Sequence, residues 1–105
     1  MRRGEVRWYR FDRPDKKRPV VILTRNSVID VLGDLTVAPI TSRIRDIPSE
    51  VPLSHVDGLD RDCAVNLDHV HTVPKAKLGA LIATLDEERM EAIRAALLFA
   101  LEFKQ

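Results

Sequence analysis

The sequence predicts a mainly β domain with a single helix at its C-terminus, and three observations carry that expectation. Short β-branched or alternating runs follow one another as far as Ala83, each bounded by turn formers such as Pro14, Gly33 and Gly58. No strand–helix–strand spacing of the βαβ kind interrupts them. From Thr84 to Phe103 the apolar residues then switch to helical periodicity. Many short strands with turns between them indicate a small barrel rather than a parallel sheet.

Taken in order, Glu5–Phe11 starts with polar and apolar residues alternating and reads as a strand with Val6 and Trp8 inward. Asp12–Lys17 is polar, contains Pro14 and has no apolar anchor, so it reads as a mobile loop. Pro19 opens Val20-Val21-Ile22-Leu23, in which three of four residues are β-branched, as in a central strand buried on both faces. Asp30–Asp34, with Gly33, is a turn, and Leu35–Thr41 a third strand. Pro39 has no N–H for a ladder and is expected at an edge or a bulge. A basic, Pro-containing loop from Ser42 to Ser49 leads to a short strand around Glu50–Leu53. After the polar turn His55–Asp62 come strands at Cys63–Leu67 and Val70–Val73, one helical turn at Lys75–Gly79, and a last strand at Leu81–Ala83.

The terminal helix has the strongest signal. Thr84 with Glu87 fits a capping box, and Asp86, Glu87 and Glu88 place negative charge at the positive end of the helix dipole. Met90, Ile93, Leu97, Ala100 and Leu101 form an apolar stripe that Ala92, Ala96, Phe99 and Phe103 extend sideways. The resulting arc, about 200° wide, is roughly twice what packing on one core requires. A second apolar partner is therefore expected, most simply another copy of the chain across a two-fold axis.

Composition sets the class. The 105 residues suit one domain, 1–105, of 45% hydrophobic and 31% charged residues, ordinary for a globular protein. No apolar run approaches the roughly 20 residues that cross a bilayer, and the N-terminal segment lacks the apolar stretch of a signal peptide. A cytoplasmic location with no membrane partner is the expectation. Cys63 is the sole cysteine, which excludes an intrachain disulfide and a multi-cysteine zinc site. Net charge is only +1, but residues 1–25 hold nine Lys/Arg against three Asp/Glu. That asymmetry predicts a basic face for an anionic partner.

Several side chains suit chemistry on a phosphodiester. Arg18 offers a planar fork of donors to phosphate, and Thr41 a hydroxyl at a strand end. Lys16, Lys17, Arg25, Arg43 and Arg45 suit phosphate contacts that position a strand without reading its bases. His55, His69 and His71 raise a two-histidine acid–base mechanism, and strand alternation places His69 and His71 on one side. The histidines lack ligand-like spacing, so no metal site and no cofactor is expected. Trp8, Tyr9 and Phe11 read as core or barrel rim rather than a stacking platform.

Three spaced phrases complete the reading: Arg3-Gly4-Glu5-Val6, then Lys17-Arg18-Pro19-Val20-Val21-Ile22-Leu23, then Val37-Ala38-Pro39-Ile40-Thr41-Ser42. In this order and spacing the chain resembles the MazF/PemK family of toxin endoribonucleases nearly end to end. The resemblance implies an SH3-like (PemK/CcdB-type) barrel with a C-terminal helix, assembled as a homodimer. It also implies metal-independent cleavage of single-stranded RNA to 2′,3′-cyclic phosphate and 5′-hydroxyl ends, by Arg18 and Thr41. Lys16, Lys17, Arg25, Ser42, Arg43, Arg45 and His69 would then contact RNA, and a cognate antitoxin would lay an acidic segment over the basic groove. The family's arginine is usually described as an acid/base group; its high pKa favours charge stabilisation instead. Asp15-Lys16-Lys17 replaces the usual Gly-rich lead into the second phrase. Two other readings fit the same fold: a non-catalytic gyrase poison like CcdB, which lacks the Arg/Thr pair, and a plain SH3-like RNA-binding module.

Overall fold

A computed structural model describes residues 1–12 and 16–104 of the chain. Among them, β1 (Glu5–Phe11), β2 (Lys16–Ile22), β3 (Asp34–Thr41), β4 (Glu50–Leu53), β5 (Cys63–Asn66), β6 (His71–Pro74) and β7 (Leu81–Thr84) form one curled sheet. Its order is β4-β5-β3-β2-β1-β7, with β6 also on β3, and every pairing is antiparallel. The end strands β4 and β7 do not pair, so the barrel stays open. The helix α2 (Glu87–Ala100) packs on β4 and on the 3-10 turn Leu67–His69. This is the mainly β, barrel-and-helix architecture that the sequence predicts.

The β2 run behaves as its composition demands, with Val20, Val21 and Ile22 all fully buried. Val21 joins the core under α2, built with Val6, Ile40, Val65, Ile93 and Ala96. Val20 and Ile22 turn to a second cluster with Leu35, Val37 and Val73, against which Tyr9 and Phe11 pack. A helical turn, α1 (Asn26–Ile29), gives no sequence signal; Ile29 drops into this second cluster and accepts a 2.7 Å hydrogen bond from Lys75 Nζ through its carbonyl.

Four expectations need correction. The loop predicted over Asp12–Lys17 is shorter, because β2 already starts at Lys16 and pairs with Phe11 and Arg10. A backbone ladder needs no apolar side chain. Residues 13–15 lie outside the described residues. Pro39 is not at a sheet edge but within the central strand β3, opposite Val20. Thr36 directs its N–H to Thr24 Oγ1 and its C=O to Leu23 N on the β2 side. Alternation turns the Pro39 nitrogen the other way, into the gap where pairing to β6 ends at Val37 and pairing to β5 begins at Ile40.

The third correction concerns the helix start. The N-cap of α2 is Asp86, whose side chain accepts from Arg89 N at 2.9 Å, while Thr84 pairs with Glu5 in the β1–β7 ladder. The fourth concerns the strand expected through Leu67. It stops at Asn66, whose Oδ1 accepts from Asp68 N at 3.0 Å and starts the 3-10 turn.

Candidate active site

The β2–β3 register decides where the candidate residues meet. Val20 lies opposite Pro39, Val21 opposite Ala38 and Ile22 opposite Val37. Continued past the last pair by two residues, the same register sets Arg18 across from Thr41. Both residues line a cleft of about 570 Å³ together with Trp8, Lys17, Pro19, Ser42, Arg43, Asp60 and Arg61, over a floor that includes Ile40, Leu59 and Cys63. Arg18, Thr41 and Arg43 also line an adjoining hollow of about 290 Å³, with Arg45, Asn66 and His69 on its far side.

The Thr41 hydroxyl accepts a 3.0 Å hydrogen bond from Arg43 N–H, which leaves its own proton free to donate. Among the described residues no carboxylate pairs with Arg18 or Arg43, so both guanidinium groups keep their donors for a ligand. Lys17 Nζ stands 5.2 Å from the centre of the Trp8 ring. Gly79 lets the chain pass close to that residue, donating from its N–H to Trp8 O at 2.8 Å; a Cβ there would lie 3.2 Å from the same oxygen.

The basic loop after β3 is tied down from below. Glu50, buried at 7% exposure, accepts from Arg45 N at 2.9 Å and from Arg45 Nε at 3.4 Å. Ser49 Oγ donates to Asp68 Oδ2 at 2.6 Å, and Leu67 N to Ser49 O at 3.0 Å, which binds the loop to the turn carrying His69. Cys63 is buried beneath the cleft. Burial, then the negative charges of Asp60, Asp57 and Asp62, push its thiol up from the ordinary range, so it remains protonated at neutral pH and is a poor nucleophile.

Lys17, Arg18, Thr41, Ser42 and Arg43 thus come together in the cleft, and Arg45 and His69 in the adjoining hollow. The backbone of Lys16 belongs to β2; its side chain lies outside the described residues. Arg25 is not with them. It lies past the other end of β2, seven residues from Arg18 and on the order of 20 Å away along the chain, where it borders a groove with Leu97 and Leu101.

Not all the described cations of residues 1–25 lie in the cleft. Arg7 is engaged with Glu5 and with Gly79 O, and Arg3 with Leu23 O. The cleft instead draws its cations from β2, from the loop after β3 and from Arg61. The same-side pair His69/His71 does not form either. The 3-10 turn interrupts the alternation, so His69 meets Asn66, while His71 packs on Phe11 with ring centres 5.1 Å apart.

Sequence reasoning missed Asn66, Asp60 and Arg61, and took Trp8 for core or rim. Trp8 is half-buried, and it forms the cleft wall. No local pattern marks the others, because only the folded chain brings them beside Arg18.

Fold and site together define a small open-barrel protein with a cationic cleft lined by an arginine that is unpaired among the described residues and by a strand-end hydroxyl. The chain matches the family model described as PemK-like, MazF-like toxin of type II toxin–antitoxin system over residues 2–101. It is 41% identical over 83 residues to endoribonuclease MazF3 of Mycobacterium tuberculosis, which covers 79% of this chain and 81% of that protein. The fold superposes on Mycobacterium tuberculosis toxin MazF-mt6 with a TM-score of 0.89 at 35% identity, covering 96% of this chain and 99% of that one. An endoribonuclease from a mycobacterial species, solved in complex with its cognate antitoxin, superposes with a TM-score of 0.89 at 26% identity, covering 100% and 98% of the two chains. The chain therefore belongs to the PemK/MazF-like toxin family of type II toxin–antitoxin systems.

Proposed function

We propose that this member of the toxin family is an endoribonuclease that cuts single-stranded RNA in the cleft shared by Arg18 and Thr41, without a metal ion. The observation that supports the reading is that Arg18, with no carboxylate partner among the described residues, lines the same cleft as Thr41, whose hydroxyl accepts from Arg43 N–H and keeps its own proton to donate. Attack by a ribose 2′-oxygen on the adjacent phosphorus forms the new P–O bond and concentrates charge on the non-bridging oxygens. The 2′-hydroxyl proton passes to water as that bond forms; the P–O5′ bond then breaks, and the leaving 5′-oxygen takes a proton from water. The Arg18 fork and the Thr41 O–H supply donors to the phosphorane, where such donors act most strongly. Arginine's high pKa makes Arg18 a charge stabiliser rather than a base. Lys16, Lys17, Ser42, Arg43, Arg45 and His69 hold the flanking backbone; Arg25 is too far off to share that strand.

The same reading includes a homodimer, supported by the apolar residues that α2 leaves exposed, and a cytoplasmic site of action. It also includes an antitoxin whose acidic extended segment competes with RNA for the cleft. A relative solved with its cognate antitoxin supports that partner.

The test is incubation of purified protein with a long single-stranded RNA in excess EDTA. Discrete fragments bearing 2′,3′-cyclic phosphate and 5′-hydroxyl ends are expected. Cleavage that stops in EDTA and returns with a divalent ion overturns the metal-independent mechanism, and intact RNA throughout selects a non-catalytic reading.

A further inference from the structure

The geometry points to Asn66 as a positioning residue that locks His69 in its Nε2–H tautomer, so that His69 donates to a phosphate oxygen of the bound strand. This rests on the cleft being the RNA site. Asn66 is buried, at 6% exposure. Its Oδ1 accepts from Asp68 N at 3.0 Å, and a backbone N–H can only donate, so the oxygen end of the amide is assigned without ambiguity. The amino end then stands 3.4 Å from His69 Nδ1. A donor on that side leaves Nδ1 the role of acceptor, and the ring proton of the neutral imidazole belongs on Nε2.

Nδ1 is thereby taken, and Nε2–H is the polar group His69 can offer to the hollow it shares with Arg18, Thr41, Arg43 and Arg45. Every charged side chain lining that hollow is a cation, which complements a phosphate rather than a base edge. The turn is held in place by the Ser49–Asp68 hydrogen bond of 2.6 Å, so the ring direction is set before RNA arrives.

Two measurements test this. Long-range ¹H–¹⁵N spectra of the RNA-free protein should show His69 protonated at Nε2 with a bare Nδ1. In Asn66→Asp, a carboxylate that can only accept replaces the amino donor, and the proton should move to Nδ1. Should Asn66→Asp fail to fold, the wild-type spectrum and the His69 series still decide. In that series Gln places an amide donor near the position of Nε2, and Asn places one near Nδ1. His69→Ala and His69→Asn should each lower cleavage about tenfold, the worth of one hydrogen bond to a charged group. His69→Gln should recover most of that loss. An Nδ1–H tautomer in the wild-type protein overturns the proposal, as does His69→Gln behaving like His69→Ala. A protein that cleaves no RNA but shows the Nε2–H tautomer, reversed by Asn66→Asp, keeps the lock and refutes the cleavage reading instead.

Discussion

Arg18 and Thr41 stand two residues past the last hydrogen-bonded pair of β2 and β3, where the backbone is held but the side chains are free to meet a ligand. Removal of one transition-state donor costs about 100- to 1,000-fold, so Arg18→Ala and Thr41→Ala should each lose that much cleavage of a short fluorogenic RNA. Arg18→Lys keeps the charge but not the fork, and should recover only part of the rate. Thr41→Ser keeps the hydroxyl and should recover most of it. Unchanged circular dichroism in each variant is the control; wild-type rates in Arg18→Ala would remove Arg18 from the site. Both residues were legible because each lies in a phrase whose order and spacing resemble the family's. Asn66 was not: its amide matters only because a 3-10 turn folds His69 back beside it.

Among the elements, the start of α2 separates local signal from folded outcome. Thr84 and Glu87 match a capping box as well as any pair in the chain, yet Thr84 is held opposite Glu5 in the β1–β7 ladder. The cap passes to Asp86, two residues on. Asp86→Ala should therefore cost about 1 kcal/mol, a fall in Tm of roughly 4 °C or more for a domain of this size. Thr84→Ala should shift Tm far less, and thermal melts of the two variants side by side decide which residue caps the helix. A ladder pairing of this kind involves partners some eighty residues apart, so no window on the local sequence can weigh it.

For the whole molecule, α2 buries Ile93 and Ala96 but leaves Phe99 60% exposed, and Leu101 and Phe103, just past its end, are 52% and 66% exposed. The helix expected through Phe103 ends at Ala100, and Glu102 takes a left-handed φ of 63°, so Phe103 does not extend the helical arc. What stays uncovered is Phe99, with Leu101 and Phe103 beyond the helix. These side chains should join two copies, giving a dimer mass by light scattering at micromolar concentration. Phe99→Glu should yield a folded monomer with weakened RNA binding. Leu97 is a poorer probe, since it already packs partly against the core. A wild-type monomer under the same conditions would sink the dimer.

The number and kind of elements followed from the sequence by itself, because β-branched runs, turn formers and a helical apolar stripe act over a few residues at a time. Composition and the three phrases likewise carried the family and the Arg18/Thr41 pair. What only the tertiary structure decided was register and neighbourhood: that Arg18 and Thr41 line one cleft, that Pro39 sits in a central strand, and that Arg25 stands apart from the cleft while Trp8 joins it and Asn66 joins the adjoining hollow. The physical reason is that strand pairing trades hydrogen bonds between segments far apart in the chain. A shift of one residue would exchange the side chains that β2 sends to the two cores and misfit both, so the two cores enforce a register that no local segment contains.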